Sequence, residues 1–161
     1  IKTLLKQTLE CRCLMKFNNA KIWQDAQNKV AKAVEETVII MGVYATNHYK
    51  KSFVDGGFTD ETLELWKPRK RTERSRQGNR GVLIGLGGGG GLKNSIKALR
   101  RGRFEQVIRS NKVYANVHNE GLRAGRGKGF IMPKRKIVGY SGVLSRKIEN
   151  KLNSKIRAIF K

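Results

Sequence analysis

Between Asn19 and Tyr49 the apolar side chains recur three or four residues apart, at Ile22, Trp23, Ala26, Val30, Ala33, Val34, Val38, Met41, Tyr44, Ala45 and Tyr49. That is the helical period, and Lys21, Gln24, Asp25, Lys29, Lys32 and Glu36 fill the positions between. The spacing predicts one long amphipathic helix, capped at its start by Asn18 or Asn19. Its stripe broadens at Val38-Ile39-Ile40-Met41, where burial on more than one side is expected. A stripe this long needs a second layer to cover it, which the remaining residues must supply. Residues 1–18 are expected as an arm or separate short helix, with Leu5, Leu9 and Cys13 four apart, and residues 19–161 as a single domain.

Downstream the period changes. Asp55 to Gln77 reads as a surface loop with one short turn near Glu61 to Leu65, and Pro68 biases Lys67 away from helix. Two strands are predicted at Ser95–Arg101 and Arg103–Arg109, joined near Gly102. Tyr114, Val117 and His118 stand at helical spacing before Gly121. The last helix is predicted over Ser141–Phe160, with Leu144, Ile148, Leu152, Ile156 and Ile159 on its stripe and Ser141 as its cap. The predicted fold class is α+β, a long N-terminal helix and a C-terminal helix packed on a small, mainly antiparallel sheet.

Charge is the second constraint. Of 161 residues, 35 are Lys or Arg and 12 are Asp or Glu, a formal net charge of +23. Residues 1–66 carry nine basic and eight acidic side chains, a balance of +1; residues 67–161 carry 26 and four, a balance of +22. Such asymmetry points to one surface that meets a polyanion, either nucleic acid or an acidic protein face. The densest patch lies in a basic and Gly-rich loop over residues 67–91 and includes Lys67, Arg69, Lys70, Arg71, Arg74 and Arg76; Arg123, Arg126 and Lys128 form a second cluster.

Catalytic patterns are scarce. Gly85 to Gly91 holds six glycines in seven residues, but Gly91-Leu92-Lys93-Asn94-Ser95 lacks the contiguous Gly-Lys-Ser/Thr of a phosphate loop. His48 and His118 lie in different contexts with no obvious carboxylate partner for acid–base work. Cys11 and Cys13 are two thiols without a third or fourth soft ligand close by, so a closed zinc site is not expected within one chain. The longest apolar run, Val38 to Ala45, is far too short to cross a bilayer. No catalytic residue, metal or cofactor is predicted, nor any membrane partner, and the chain reads as a soluble protein made inside a cell.

The order of elements in the second half carries a resemblance. It runs Trp66-Lys67-Pro68, then Gly91-Leu92-Lys93-Asn94-Ser95-Ile96, a strand pair, Tyr114-Ala115-Asn116-Val117-His118-Asn119-Glu120-Gly121, and Met132-Pro133-Lys134-Arg135 before a closing helix. This resembles the phage virion morphogenesis (tail completion) family, whose pattern is a loop Trp, a Gly-Leu-x-x-Ser-Ile strand entry, Tyr-Ala-x-x-His-x-x-Gly and Pro-x-Arg. The likeness spans roughly Phe53 to Phe160. Two departures stand out: the glycine run before Leu92 is longer than the pattern needs, and Lys136-Ile137 replaces an aromatic-leucine pair.

The resemblance implies a bacteriophage virion protein of the neck, assembled in the host cytoplasm, which completes the tail and joins it to the head. It implies a homo-oligomer, a hexameric ring around the DNA channel. Head-closure or connector proteins and tail tube or tail terminator proteins would be its neighbours, with no enzymatic site. Trp66, Leu92, Ser95, Ile96, Tyr114, Ala115, His118, Gly121, Pro133 and Arg135 would then be structural, and the basic loops would face DNA in the channel or an acidic partner. The competing reading is a basic nucleic-acid-binding module of ribosomal type. Against it, Trp66, Phe104, Tyr114, Phe130, Tyr140 and Phe160 are widely scattered for base stacking.

Overall fold

A computed structural model describes residues 2–68, 82–84 and 91–160, with side chains from Asn19 onward. The long helix, α1, runs Lys2–Asp55 without a break, so it takes in the stretch expected as a separate short helix and extends past Tyr49. At 1.5 Å per residue its 54 residues make a rod about 80 Å long. Among the side chains described, burial in α1 begins at Ala33 and continues through Thr37, Val38, Ala45, Tyr49 and Phe53, whereas Ile22 and Trp23 stand in solvent. Gly56 ends the rod in a left-handed conformation (φ 69°), the usual glycine exit from a helix.

The chain then turns back. Gly57–Thr59 (β1) and Leu63–Leu65 (β2) pair antiparallel, where a loop with a single turn was expected. Three-residue strands leave too little alternation to be seen in the sequence. The hairpin puts Phe58 at the centre of the core, and Trp66 follows it, its amide held by the Gly56 carbonyl at 2.8 Å. Phe53 meets Trp66 edge-on (5.3 Å between centroids), and Tyr49 stacks on Phe58 (6.3 Å). Such pairs contribute about 0.5–1.5 kcal/mol each beyond the apolar area they bury.

A single helical turn, α2 (Leu92–Ser95), leads into β3 (Ile96–Arg100), which pairs antiparallel with β4 (Gln106–Ser110). The inner face of this hairpin lies on α1. Gly42 makes the approach possible, because a Cβ there would sit 3.0 Å from Ala98 Cβ and overlap the Gln106 amide. Glu35 on α1 holds the far end through Arg100 and Arg103. Next come α3 (Ala115–Glu120), the small hairpin β5 (Arg123–Ala124) and β6 (Phe130–Ile131), and α4 (Gly142–Ile159).

Helix α4 packs antiparallel along α1: Lys147 lies over the Tyr44 ring (4.6 Å) and Lys155 pairs with Glu36 (2.5 Å). Ser141 caps α4, its hydroxyl accepting from Leu144 N and donating to the Thr59 carbonyl (2.9 Å). Asp60 also accepts from Gly142 N at 2.7 Å, placing a carboxylate at the positive end of the helix dipole. The β1–β2 turn is thus bolted to the start of α4. The architecture is α+β, with a long N-terminal helix, a C-terminal helix and small antiparallel sheets.

Candidate functional surface

The segments bearing the sequence motifs converge behind Trp66. Helix α3 ends at Gly121 (φ 73°), whose N–H, like that of Leu122, donates to the Val117 carbonyl at 3.0 Å. A Cβ at Gly121 would lie 3.0 Å from Lys134 Cβ and 3.1 Å from Lys134 N, so the chain after β6 can close on this turn only over a glycine. The returning strap is pinned to α3 by its backbone. Arg135 N donates to the His118 carbonyl (2.8 Å), and Asn119 Oδ1 accepts from both Ile137 N (2.8 Å) and Val138 N (3.0 Å).

Arg135 and Trp66 tie this strap to the first loop. The buried Arg135 guanidinium donates from Nε and Nη2 to the Lys67 carbonyl (3.1 and 2.9 Å), and Trp66 Nε1 donates to the Lys136 carbonyl (2.9 Å). The Tyr-Ala-x-x-His-x-x-Gly and Pro-x-Arg segments and the loop Trp are therefore three parts of one hydrogen-bonded clamp. Leu92 and Ile96 are buried in the core beside it, and Ser95 shares a 2.6 Å hydrogen bond with Ser110 across the β3–β4 hairpin. Ala115 packs against that core and Pro133 lies half-buried at the start of the strap.

Tyr114 is different. It is 43% exposed at the N-cap position of α3, and its ring meets that of His118 at right angles (6.0 Å between centroids). His118 is buried, and its Nδ1 has no hydrogen-bond partner among the described residues. Burial, then the Arg135 charge, hold the imidazole pKa below its ordinary value, so the ring is kept neutral.

The basic residues divide sharply. Lys67 has an exposed side chain on the described chain, while Arg69, Lys70, Arg71, Arg74 and Arg76 lie outside the described residues. Arg123, Arg126 and Lys128 are brought together on the β5–β6 hairpin, whose tip Gly125-Arg126-Gly127-Lys128-Gly129 has all three glycines at positive φ (102°, 63° and 57°). The three cationic side chains are exposed and make no hydrogen bond or ion pair with the described residues. By contrast Arg100, Arg103, Lys134, Arg146 and Lys155 are each paired with a carboxylate, Arg100 and Arg103 sharing that of Glu35. No group of three His, Cys, Asp or Glu side chains gathers among the described residues, and His48 is engaged with the Thr59 carbonyl (3.0 Å).

A sequence model of the phage virion morphogenesis family matches residues 62–157. The chain belongs to the phage virion morphogenesis family. No curated protein and no solved structure matches it. The family match starts just before β2 and ends in the last turn of α4, so it encloses the whole clamp and the basic hairpin. It leaves out α1, although Ala45, Tyr49 and Phe53 supply a third of the buried core cluster, three of nine residues. Among the described residues no helix is long and apolar enough to cross a membrane. Sequence reasoning missed Asn119, which anchors the strap; a lone Asn inside a short helix gives no signal for a partner eighteen residues away.

Proposed function

We propose that this chain is a non-enzymatic subunit of the phage neck that completes the tail and joins it to the head. In this reading several copies, six by the family resemblance, close into a ring around the DNA channel, between head-closure or connector proteins and tail tube or terminator proteins. The observation that carries it, beside the family match, is the β5–β6 hairpin, with Arg126 and Lys128 on its glycine turn and Arg123 on β5, all exposed and without a carboxylate partner among the described residues. Repeated around a ring, such tips would line a channel with positive charge and hold DNA by its phosphates, independent of sequence. Cyclic closure also satisfies every copy without open-ended growth.

Electron microscopy and light scattering of the protein, alone and with purified tail tubes, test the ring. DNA titrations at several salt concentrations test the lining: replacing Arg123, Arg126 and Lys128 by Ser should flatten the salt dependence by roughly 0.9 for each phosphate no longer neutralised. Monomers that bind DNA yet ignore tail tubes would instead identify a nucleic-acid-binding module.

A further inference from the structure

Residues directly opposite in an antiparallel pair project from the same face of the sheet. In the β3–β4 hairpin Ile96, Ala98 and Ile108 turn to the core and α1, so the outer face carries Lys97 opposite Arg109, then Leu99 opposite Val107. Lys97 and Arg109 are both exposed. Like charges in that relation destabilise a strand pair, and among the described strand pairs this is the one place where they meet. Lys93 on α2 and Lys112 just beyond β4 follow at the open end of the hairpin, both partly exposed. None of the four pairs with a carboxylate among the described residues.

The closed end of the same hairpin is treated differently. There Arg100 and Arg103 share Glu35, and Arg101 lies 3.9 Å from Glu105. The stretches whose side chains are not described cannot make good the deficit at the open end. They carry eleven cations against two acidic side chains, Glu10 and Glu73.

The cost of opposing Lys97 to Arg109 is offset when an anion lies between them. A phosphate accepts from an ammonium and a guanidinium at once, and the guanidinium offers it two parallel donors. Neighbouring strands are about 4.8 Å apart, so two side chains of this length reach one phosphate. Four cations gathered this closely need a counter-surface charged along its whole length. DNA supplies one negative charge per roughly 1.7 Å of its axis, wherever it is touched.

We propose that the outer face of β3–β4 is a second DNA-binding surface, with Lys97 and Arg109 closing on one backbone phosphate and Lys93 and Lys112 reaching its neighbours. It rests on the reading above that DNA passes this protein, and adds to the β5–β6 hairpin a surface assembled by strand pairing.

The test uses the full-length protein, with duplex DNA titrated at several salt concentrations and melting followed by circular dichroism without DNA. Lys97→Glu turns the opposition into a cross-strand ion pair, so it should melt above the parent. The same variant should bind DNA roughly tenfold more weakly, the loss expected for one charge-assisted contact. Lys97→Gln combined with Arg109→Gln should lower the salt slope by about 0.9 for each phosphate released. Lys29→Gln, which removes an exposed cation amino-terminal to the buried part of α1, should leave the slope as it is. If Lys97→Glu loses no more affinity than Lys29→Gln, the effect is net charge alone and the inference falls. If replacing Arg123, Arg126 and Lys128 weakens DNA binding while Lys97→Glu does not, this face serves an acidic protein, and the channel reading stands without it. Self-association of the double Gln variant with DNA binding intact would make the cations guards of open strand edges, which also overturns the proposal. If the parent binds no DNA even at low salt, the channel lining fails and takes this surface with it.

Discussion

His118 illustrates how a single side chain can tie the clamp to solution conditions. Its backbone carbonyl holds Arg135 N while its ring sits buried beside the same arginine. The folded-state pKa lies below the ordinary 6.5, so the unfolded chain binds the proton more readily. The contribution of a neutral His118 is therefore complete above pH 6.5 and is lost as the pH falls through 6.5 toward the lowered folded value. His118→Gln should flatten the thermal midpoint over that window, measured by calorimetry at half-unit pH steps. A midpoint profile identical to the parent's would show that the ring titrates as if exposed. Below it a second loss should follow, because Glu35, Glu36 and Glu61 are held below the ordinary carboxyl value, chiefly by hydrogen bonds from Arg100, Lys155 and Arg146 respectively. Gly42 offers a test of packing instead. Valine there would force β3–β4 off α1, and overpacking of this kind costs about 1–3 kcal/mol, which urea titration would reveal.

At the scale of elements, Ser141 carries the α4 start with two roles, as acceptor from Leu144 N and as donor to the Thr59 carbonyl. Ser141→Ala should cost about 0.5–2 kcal/mol in chemical denaturation, the range for removal of a helix cap. This cap was legible in the sequence, because α4 is long and its period is unmixed. Helix α3 was legible from Tyr114, Val117 and His118 at helical spacing before Gly121, and the β3–β4 pair from its alternation on either side of Gly102, within a few residues at its ends. The break between an amino-terminal arm and the long helix was expected from the asparagine pair Asn18-Asn19, yet α1 runs through both. Asparagine lowers helix propensity by well under 1 kcal/mol, too little to end a helix with good neighbours on both sides. The β1–β2 and β5–β6 hairpins were unreadable, since strands of two or three residues are set by tertiary contacts: Phe58 in the core, and the Leu122 carbonyl taking Met132 N.

For the whole molecule, the motif order pointed to the family, and folding brings its segments together: the loop Trp, the α3 segment and the strap meet in one clamp, with Leu92 and Ile96 in the core beside it. Neither the order nor the charge balance revealed that Lys97 faces Arg109, because only the pairing of β3 with β4 brings them together. The same logic governs what can be cut away. Burial in α1 starts at Ala33, so the helix amino-terminal to it adds nothing to the described core. A fragment spanning residues 31–161 should therefore melt within a few degrees of the parent, keeping both Glu35 and Glu36 ion pairs. A fragment limited to the family-matched 62–157 should fail to fold. It lacks Tyr49, Phe53 and Phe58, and removing one buried aromatic side chain alone costs about 3–5 kcal/mol, against a typical total stability of about 5–15 kcal/mol. Circular dichroism melts of the two fragments decide it. A cooperative transition in 62–157 would mean that the clamp is a self-sufficient domain, with α1 an accessory laid on its surface.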